Sequence, residues 1–258
     1  MTRRIRALAL ICLGTSLLVS QAWALTNEFY GNLYLSANAG RSYYVMDGGN
    51  NINACSGLPP DHYFRTSIHD GSFVGITGGY SWTRYDTMFP AIMVGLNFTY
   101  GFNGEISGKI EKYSLSNFTN YDYSYDFGRQ SLMAVVKLNV FNYFGFMPYL
   151  TTGAGISYNR ASNYDEDPLN GVTPRVSPGF DTNYHSSRAY MVGAGIDYTI
   201  RDDIWVGLGY QYGDFGVVST GNGEVQITSN KDYRNDHLKN KLRANSVSLE
   251  FTYLINYV

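Results

Sequence analysis

The sequence contains few cysteines and few charged residues, and both scarcities limit what the chain is. There are two cysteines, Cys12 and Cys55, in 258 residues. If the first is removed with an export signal, Cys55 remains alone and no internal disulfide is available. Charged residues make up 16% of the chain, and the formal net charge is −2. This balance argues against a nucleic-acid partner and against a basic anchor at a membrane surface.

The sequence also lacks an apolar run of about 20 residues, the length that crosses a membrane as a helix. The apolar stretch over residues 7–19 is shorter; it follows three arginines and precedes Ala22-Trp23-Ala24. This order predicts a signal peptide over residues 1–24, cleaved after Ala24, and a single domain over residues 25–258. Removing three arginines from 19 basic residues leaves 16 against 21 acidic ones, so the mature chain has a net charge of −5.

Glycine and aromatic residues are abundant instead, with 28 Gly, 24 Tyr and 14 Phe. Such chains are either of low complexity or rich in β-strands with aromatic belts, and ordered alternation distinguishes the two. Eight segments here alternate between apolar residues and small or polar ones, which is the period-two pattern of a strand with two different faces. They cover residues 29–40, 74–82, 92–102, 131–140, 149–158, 190–200, 204–212 and 247–257.

The second face of these segments separates a membrane barrel from a soluble sandwich. A sandwich packs its apolar face inside and turns a charged face to water. Here the second face is mostly Gly, Ser, Thr and Asn, as in residues 92–102, and such side chains suit a narrow lumen. The apolar face extends over about 9–11 residues per strand, which is the length that crosses a bilayer at a tilt.

The connections between the segments alternate in length. Long ones cover residues 41–72, 103–128, 159–188 and 213–243, and short ones cover residues 83–89, 142–147 and 201–203. The pattern predicts an all-β fold: an eight-stranded antiparallel up-and-down transmembrane barrel with four long extracellular loops and three short periplasmic turns. A closed barrel also pairs every backbone group without an exposed edge, as lipid requires.

Strand direction sorts the aromatic residues of the apolar face into two groups, because amphipathic rings favour the membrane–water boundary. One group falls at the ends of the strands that lead into the long loops, and the other at the ends that lead into the short turns. We expect two aromatic girdles, one of Tyr100, Phe102, Tyr158, Tyr190, Tyr210 and Tyr212 and the other of Trp82, Tyr198, Tyr253 and Tyr257.

Two glycine-rich strands, Gly-Ala-Gly-Ile-Ser-Tyr at residues 153–158 and Gly-Ala-Gly-Ile-Asp-Tyr at 193–198, and an amphipathic C-terminal strand complete the pattern. With these features the whole mature chain resembles the small outer-membrane β-barrels of Gram-negative bacteria, such as the membrane domain of outer-membrane protein A and the opacity proteins. The resemblance implies an outer-membrane location and insertion by the barrel assembly machinery. That machinery recognises a terminal aromatic residue in this family; here Tyr257 is followed by Val258. No peptidoglycan-binding domain follows the last strand, so wall anchoring is not implied.

Three charged residues break the small-and-polar pattern of the inner face. Strand parity places Lys137, Asp197 and Glu250 in the lumen. An unpaired charge in a low-dielectric lumen is costly, so we expect them to form an ion-paired plug. The alternative is that they are exposed to water in an open channel.

The long connections carry the other candidate binding residues. The last one is basic near its return, with Lys231, Arg234, Lys239, Lys241 and Arg243, and these side chains are candidates to contact lipopolysaccharide phosphates. A solvated face is the alternative. The free or intermolecularly bonded state of Cys55 is left open by the sequence.

No motif indicates catalysis or a cofactor. The four histidines, His62, His69, His185 and His237, fall in loops or at loop bases, and none has the spacing of a metal site. We therefore expect a non-enzymatic surface protein without cofactor, whose loops recognise host, matrix or neighbouring surface molecules, with a role in stabilising the envelope also open. A narrow porin-like channel for small solutes and a lipid-modifying enzyme are the alternatives.

Overall fold

The computed structural model describes residues 30–46, 49–53, 59–84, 88–172, 179–227, 230–234 and 236–255. In these residues the chain forms strands in the order β1 (Tyr30–Met46), β2 (Gly49–Ile52), β3 (Asp61–Ile68), β4 (Gly71–Thr83), β5 (Met88–Glu111), β6 (Thr119–Phe141), β7 (Phe146–Pro168), β8 (Gly179–Phe180), β9 (Asn183–Arg201), β10 (Ile204–Ser219), β11 (Gly223–Ile227), β12 (Asn230–Arg234) and β13 (Lys239–Ile255). Two short 3₁₀ turns, Lys112–Ser114 and Ser116–Phe118, join β5 to β6. None of the helices in the described ranges is long and apolar enough to cross a membrane.

Eight antiparallel strands close into a ring. Their order is β1–β4–β5–β6–β7–β9–β10–β13, and β1 then pairs with β13 from Leu33 opposite Ile255 to Met46 opposite Leu242. Each of these strands overlaps one of the eight segments identified by alternation, so the prediction of an eight-stranded antiparallel barrel is confirmed. Closure satisfies the backbone N–H and C=O groups of every strand within the ring.

The outside of the ring is apolar along most of each strand, and the inside is small or polar. Inward side chains such as Ser36, Thr77, Asn97, Ser131 and Thr252 are buried. The large apolar side chains that alternate with them point away from the barrel and are exposed: Leu33, Leu35, Val74, Ile76, Leu96, Phe98, Leu132, Val136, Leu150, Ile156, Val192, Leu208, Leu249 and Phe251. An exposed apolar band of this extent is stable only against lipid, which is the solvent that this fold requires.

The connections differ at the two ends of the barrel, which we call the turn end and the loop end. At the turn end, β6 and β7 are joined by a tight turn in which Gly145 has φ +86° and donates its N–H to Asn142 Oδ1 at 2.9 Å. At the loop end the expected loop boundaries are wrong. Residues 104–111 and 119–127 continue β5 and β6, and residues 159–168 continue β7.

The strands continue because their polarity reverses beyond the apolar band. On β6 the outward residues change from Leu132 to Gln130 and then Asp126, while the inward ones change from Ser131 to Phe127. β5 reaches the same arrangement through a bulge after Gly101, which turns Ile106 and Ile110 inward. Water replaces lipid as the outer solvent at this level, so the apolar side chains move to the inside.

This reversal builds a projecting unit with its own core, which we call the outer lobe. It consists of β2, β3, residues 104–111 of β5, 119–127 of β6 and 162–168 of β7, together with β8 and the residues around Val218 and Leu238 that pack on them. Beside β5, β3 takes the place that β4 has in the barrel below, and β2 pairs with β3 as the next strand of the lobe sheet. Its buried core contains Tyr63, Ile106, Ile110, Tyr121, Tyr123, Tyr125, Phe127, Phe180, Val218 and Leu238.

Aromatic contacts hold the core of the outer lobe. The ring of Tyr63 meets those of Tyr123 and Phe180 edge-on, with centroids 5.4 and 6.1 Å apart. Asn240 donates to the buried Tyr125 hydroxyl at 2.6 Å. Burial raises the pKa of Tyr123 to about 12, so its hydroxyl stays protonated in this core.

Candidate functional site

Three charged side chains meet inside the barrel, on three different strands. Lys137 on β6 places its Nζ 2.9 Å from Asp197 Oδ1 on β9 and 2.9 Å from Glu250 Oε1 on β13. The side chains of Lys137 and Asp197 are 9% and 1% exposed, and that of Glu250 is 19% exposed. We call this group the lumen ion cluster. It connects three strands, no two of which are neighbours in the ring.

Neutral side chains donate further hydrogen bonds to the carboxylates of the cluster. Asn139 donates to the second oxygen of Asp197, Oδ2, at 2.8 Å, and Thr252 donates to Glu250 Oε1 at 3.2 Å. The Thr252 hydroxyl is 2.7 Å from that of Ser36 across the β1–β13 pair. The ammonium of Lys137 lies 4.0 Å from the centre of the Tyr149 ring, an attractive cation–π distance.

Glycines provide the room for this cluster in a narrow lumen. A Cβ at Gly207 would lie 2.4 Å from Asp197 Oδ1. At Gly195 and Gly209 a Cβ would lie 2.5 and 2.4 Å from the Tyr149 hydroxyl. The glycines of β9 and β10 therefore leave room on the inner face for the larger side chains of the neighbouring strands, Tyr149 on β7 and Asp197 on β9.

Layers of side chains fill the described interior above and below the cluster. A cavity of about 50 Å³, lined in part by Asn97, Thr99 and Ser248, lies beside Lys137. Toward the turn end an apolar layer separates it from a wider mouth of about 300 Å³. That layer consists of Tyr34, Ala91, Met93, Met147, Trp205 and Leu254. At the loop end the interior is closed by the core of the outer lobe.

Arg129 is an interior charge that the sequence analysis missed. It is buried on β6, two inward-facing positions from Met133 toward the loop end. Its guanidinium lies 3.6 Å from the centre of the Phe215 ring. Its Nε and Nη1 have no hydrogen-bond partner among the described residues. Alternation continued from Ser131 would place Arg129 inside. The sequence analysis missed it because the predicted strand segment begins only at residue 131.

The girdle residues that the structure describes lie on the outer wall. Those that are exposed are Trp82, Tyr100, Phe102, Tyr158, Tyr190, Tyr198, Tyr210 and Tyr253, whereas Tyr212 is half-buried and Tyr257 lies outside the described residues. Sequence reasoning missed the aromatic residues of the β6–β7 turn. Tyr143 and Phe144 contact each other with centroids 4.6 Å apart, and Phe144 is 83% exposed. The ring of Phe146 lies 4.7 Å from that of Tyr198 at the same end.

The basic residues of the last connection are spread over two elements. Lys241 and Arg243 face outward on β13, and both contact Asp214 Oδ2, at 3.0 and 3.7 Å. Lys239 is exposed at the start of the same strand, and its backbone N–H donates to Asn50. The side chains of Lys231 and Arg234 lie outside the described part of the structure, as do Cys55 and the expected cleavage site.

The histidines do not converge on one catalytic arrangement. His62 lies 2.7 Å from the Asn51 side-chain oxygen, and His69 lies 3.4 Å from Glu105. His185 and His237 line one surface cleft of about 460 Å³ with Lys239, and the described lining of that cleft contains no carboxylate to orient a histidine. No group of three or more metal-ligating side chains occurs among the described residues.

Comparison with known proteins agrees with this architecture. The family model described as "Outer membrane protein beta-barrel domain" matches residues 10–253. No curated protein matches the chain. Among solved structures, Neisserial surface protein A is similar at 14% identity and a TM-score of 0.44, over 87% of this chain and 98% of that one. OprG from Pseudomonas aeruginosa is similar at 12% identity and a TM-score of 0.47, over 88% and 97%. AlkL is similar at 14% identity and a TM-score of 0.42, over 89% and 93%. The family match covers nearly the whole chain, which therefore belongs to the outer membrane protein β-barrel domain family and is a Gram-negative outer-membrane β-barrel.

Proposed function

We propose that this protein is a closed, non-enzymatic surface protein whose outer lobe recognises host, matrix or neighbouring surface molecules. The observation that carries the proposal is the lobe itself, because it is a rigid unit with a buried aromatic core and a polar outer face. Binding sites are often placed on such rigid supports at the loop ends of barrels. An additional role in stabilising the envelope is compatible with the same structure.

In this proposal the loop end faces the outside of the cell and the turn end faces the periplasm. Barrels of this class have short periplasmic turns and longer extracellular connections. From Gln130 to Thr119, β6 continues for 12 residues beyond its last lipid-facing leucine. At about 3.3 Å per residue and a tilt of about 40°, the lobe projects roughly 30 Å from the membrane.

The filled interior favours recognition over conduction. The lumen ion cluster lies between an apolar layer on one side and the lobe core on the other. The remaining cavity of about 50 Å³ has room for only a few water molecules. A narrow channel for small solutes is the second candidate, favoured by the glycines that line the lumen.

Planar-bilayer recordings distinguish these two candidates. We expect the wild-type barrel to show no sustained conductance, and Trp205→Gly alone to leave it closed, because the lumen ion cluster and the core of the outer lobe still fill the interior beyond the apolar layer. A steady wild-type conductance would favour the channel, and an increase of that conductance in Trp205→Gly would place its constriction at the apolar layer.

The recognition proposal is tested by removing the lobe from a barrel that still folds. Short Asn-Gly turns replace residues 43–70, 105–126, 162–182 and 220–238, which joins strands at pairs that are already in register, such as Gly104 and Phe127. Intact cells bearing either form are compared for adhesion to host cells and matrix proteins. We expect the shortened form to lose adhesion while keeping the heat-modifiable gel migration of a folded barrel.

A second variant keeps the lobe and changes only the charges on its outer face. Asp122→Lys, Asp126→Lys and Asp165→Lys reverse three outward charges without touching the buried core. If the outer face is the recognition surface, this variant loses adhesion as well. Adhesion that survives complete removal of the lobe would contradict the proposal, and mass spectrometry of lipids from a deletion strain would then test the lipid-modifying alternative.

A further inference from the structure

A groove on the outer wall lies where the apolar band ends at the loop end. Its volume is about 320 Å³, and its walls are Tyr100, Asn103, Gln130, Tyr158, Arg160 and Tyr184. We call it the Arg160 groove. These side chains come from four consecutive strands of the ring, β5, β6, β7 and β9, so the groove crosses the barrel wall rather than following one loop.

Strand register sorts the groove into two rows. Tyr100, Gln130 and Tyr158 are directly opposite one another across β5, β6 and β7. The row nearer the loop end has Gly128 opposite Arg160, and Arg160 opposite Tyr184. The lower row is aromatic and continues the apolar band, whereas the upper row is cationic and polar.

Gly128 forms the floor of the upper row. Arg160 Nη2 reaches across it and donates to Asn103 Oδ1 at 3.2 Å. A Cβ at Gly128 would lie 2.9 Å from that same oxygen and 4.0 Å from Arg160 Nε. The guanidinium therefore crosses a bare patch of backbone, and the bond to Asn103 is its one hydrogen bond among the described residues.

Arg160 and Arg188 differ from Arg41, Lys241 and Arg243, which lie near the same level and have acidic partners. Arg41 lies 4.0 Å from Asp70, and Lys241 and Arg243 share Asp214. Within the described ranges neither Arg160 nor the exposed Arg188 forms an ion pair with a carboxylate. Arg188 lies on β9, diagonally opposite Tyr158 on β7. Two uncompensated guanidinium groups thus flank Tyr158 at the membrane boundary.

We infer that the Arg160 groove binds lipopolysaccharide, with a phosphate of its headgroup on Arg160 and an acyl chain against Tyr100 and Tyr158. Guanidinium groups bind phosphate through paired, charge-assisted hydrogen bonds. The groove combines such a group with an aromatic wall at the depth of a lipid headgroup. With the loop end outside the cell, as proposed above, the groove lies in the outer leaflet, where lipopolysaccharide is the abundant phosphorylated amphiphile. The site lies on the membrane-facing wall and is independent of the ligand of the outer lobe.

The test is a titration of the purified full-length barrel in detergent, with binding measured by native mass spectrometry. Lipopolysaccharide, phosphatidylglycerol and inorganic phosphate are titrated separately. We expect Arg160→Gln to weaken lipopolysaccharide binding about tenfold, which is the effect of losing one charge-assisted contact. Arg201→Gln removes the same charge from an exposed position at the turn end, and we expect less than about a twofold change from it.

A second variant tests the groove without changing its charge. Gly128→Val fills the floor, and the first contact it makes is with the flexible end of Asn103, so the fold is expected to persist. We expect weaker lipopolysaccharide binding with both arginines still present. Unchanged binding in Arg160→Gln, an equal loss in Arg201→Gln, or equally tight binding of phosphatidylglycerol or phosphate alone would overturn the inference.

Discussion

Replacing Lys137 with Met is expected to lower the free energy of unfolding by about 3–5 kcal/mol, the usual cost of removing one partner from a buried ion pair. The substitution leaves Asp197 and Glu250 facing each other without the ammonium that lies 2.9 Å from both. Asp197 is almost fully buried, so water cannot take over the role of Lys137 there. The measurement is urea unfolding of the barrel in lipid vesicles, followed by its heat-modifiable gel migration.

A triple variant separates the loss of the charge pair from the loss of packing. Lys137→Met, Asp197→Asn and Glu250→Gln together remove all three charges while keeping similar shapes. We expect this variant to regain most of the lost stability, because no uncompensated charge is left in the lumen. Wild-type stability in the single variant, with raised conductance, would mean that the three residues are hydrated in an open path.

Placing an arginine on the outer wall of β6 is expected to destabilise the barrel strongly at one height and hardly at all at another. Val136→Arg points into the apolar band and should lower the free energy of unfolding by about 2–4 kcal/mol, the cost of a charge near the bilayer midplane. Ser124→Arg lies on the same strand and the same outward face, within the outer lobe and opposite Asp165. A change of less than about 0.5 kcal/mol is expected there.

The pair of substitutions is its own control, since residue type, strand and face are the same in both. Equal destabilisation at the two positions would mean that lipid extends over the lobe. Little effect at both would mean that the outer face of the barrel does not contact lipid at all. Either result would contradict the membrane boundary that the reversal of polarity implies.

Alternation along the chain was sufficient to predict the barrel but not its height. Residues such as Leu132 and Val136 alternate with small or polar ones. In a chain that crosses lipid, this pattern indicates a barrel strand with its apolar face outward. The segment Tyr121 to Phe127 alternates just as regularly, with its aromatic residues inward and Asp122, Ser124 and Asp126 outward. The sequence alone predicts a loop here, because a strand beyond the membrane has the reverse polarity. On β5 a bulge also shifts the period by one residue.

Parity placed Lys137, Asp197 and Glu250 inside the barrel, because an inward charge on a transmembrane strand has few alternatives. Their contact distances depend on register between strands that are far apart in sequence, which no local pattern specifies. The Arg160 groove could not be predicted from the sequence for the same reason. Asn103, Gly128 and Arg160 become neighbours only when β5, β6 and β7 pair. That Arg160 has no ion-pair partner among the described residues is likewise a property of the folded surface.

The barrel crosses the outer membrane, and we expect the lobe to lie outside the cell and the turns in the periplasm. Single cysteines in a Cys55→Ser background test it directly, using a membrane-impermeant maleimide on intact and on permeabilised cells. The positions are Ser124 in the lobe, Val136 in the apolar band and Asp202 in the β9–β10 turn. We expect Ser124→Cys to react in intact cells, Asp202→Cys to react only after permeabilisation, and Val136→Cys to react in neither. Labelling of Asp202→Cys but not Ser124→Cys in intact cells would reverse the orientation, and rapid labelling of Val136→Cys would contradict the membrane-spanning barrel itself.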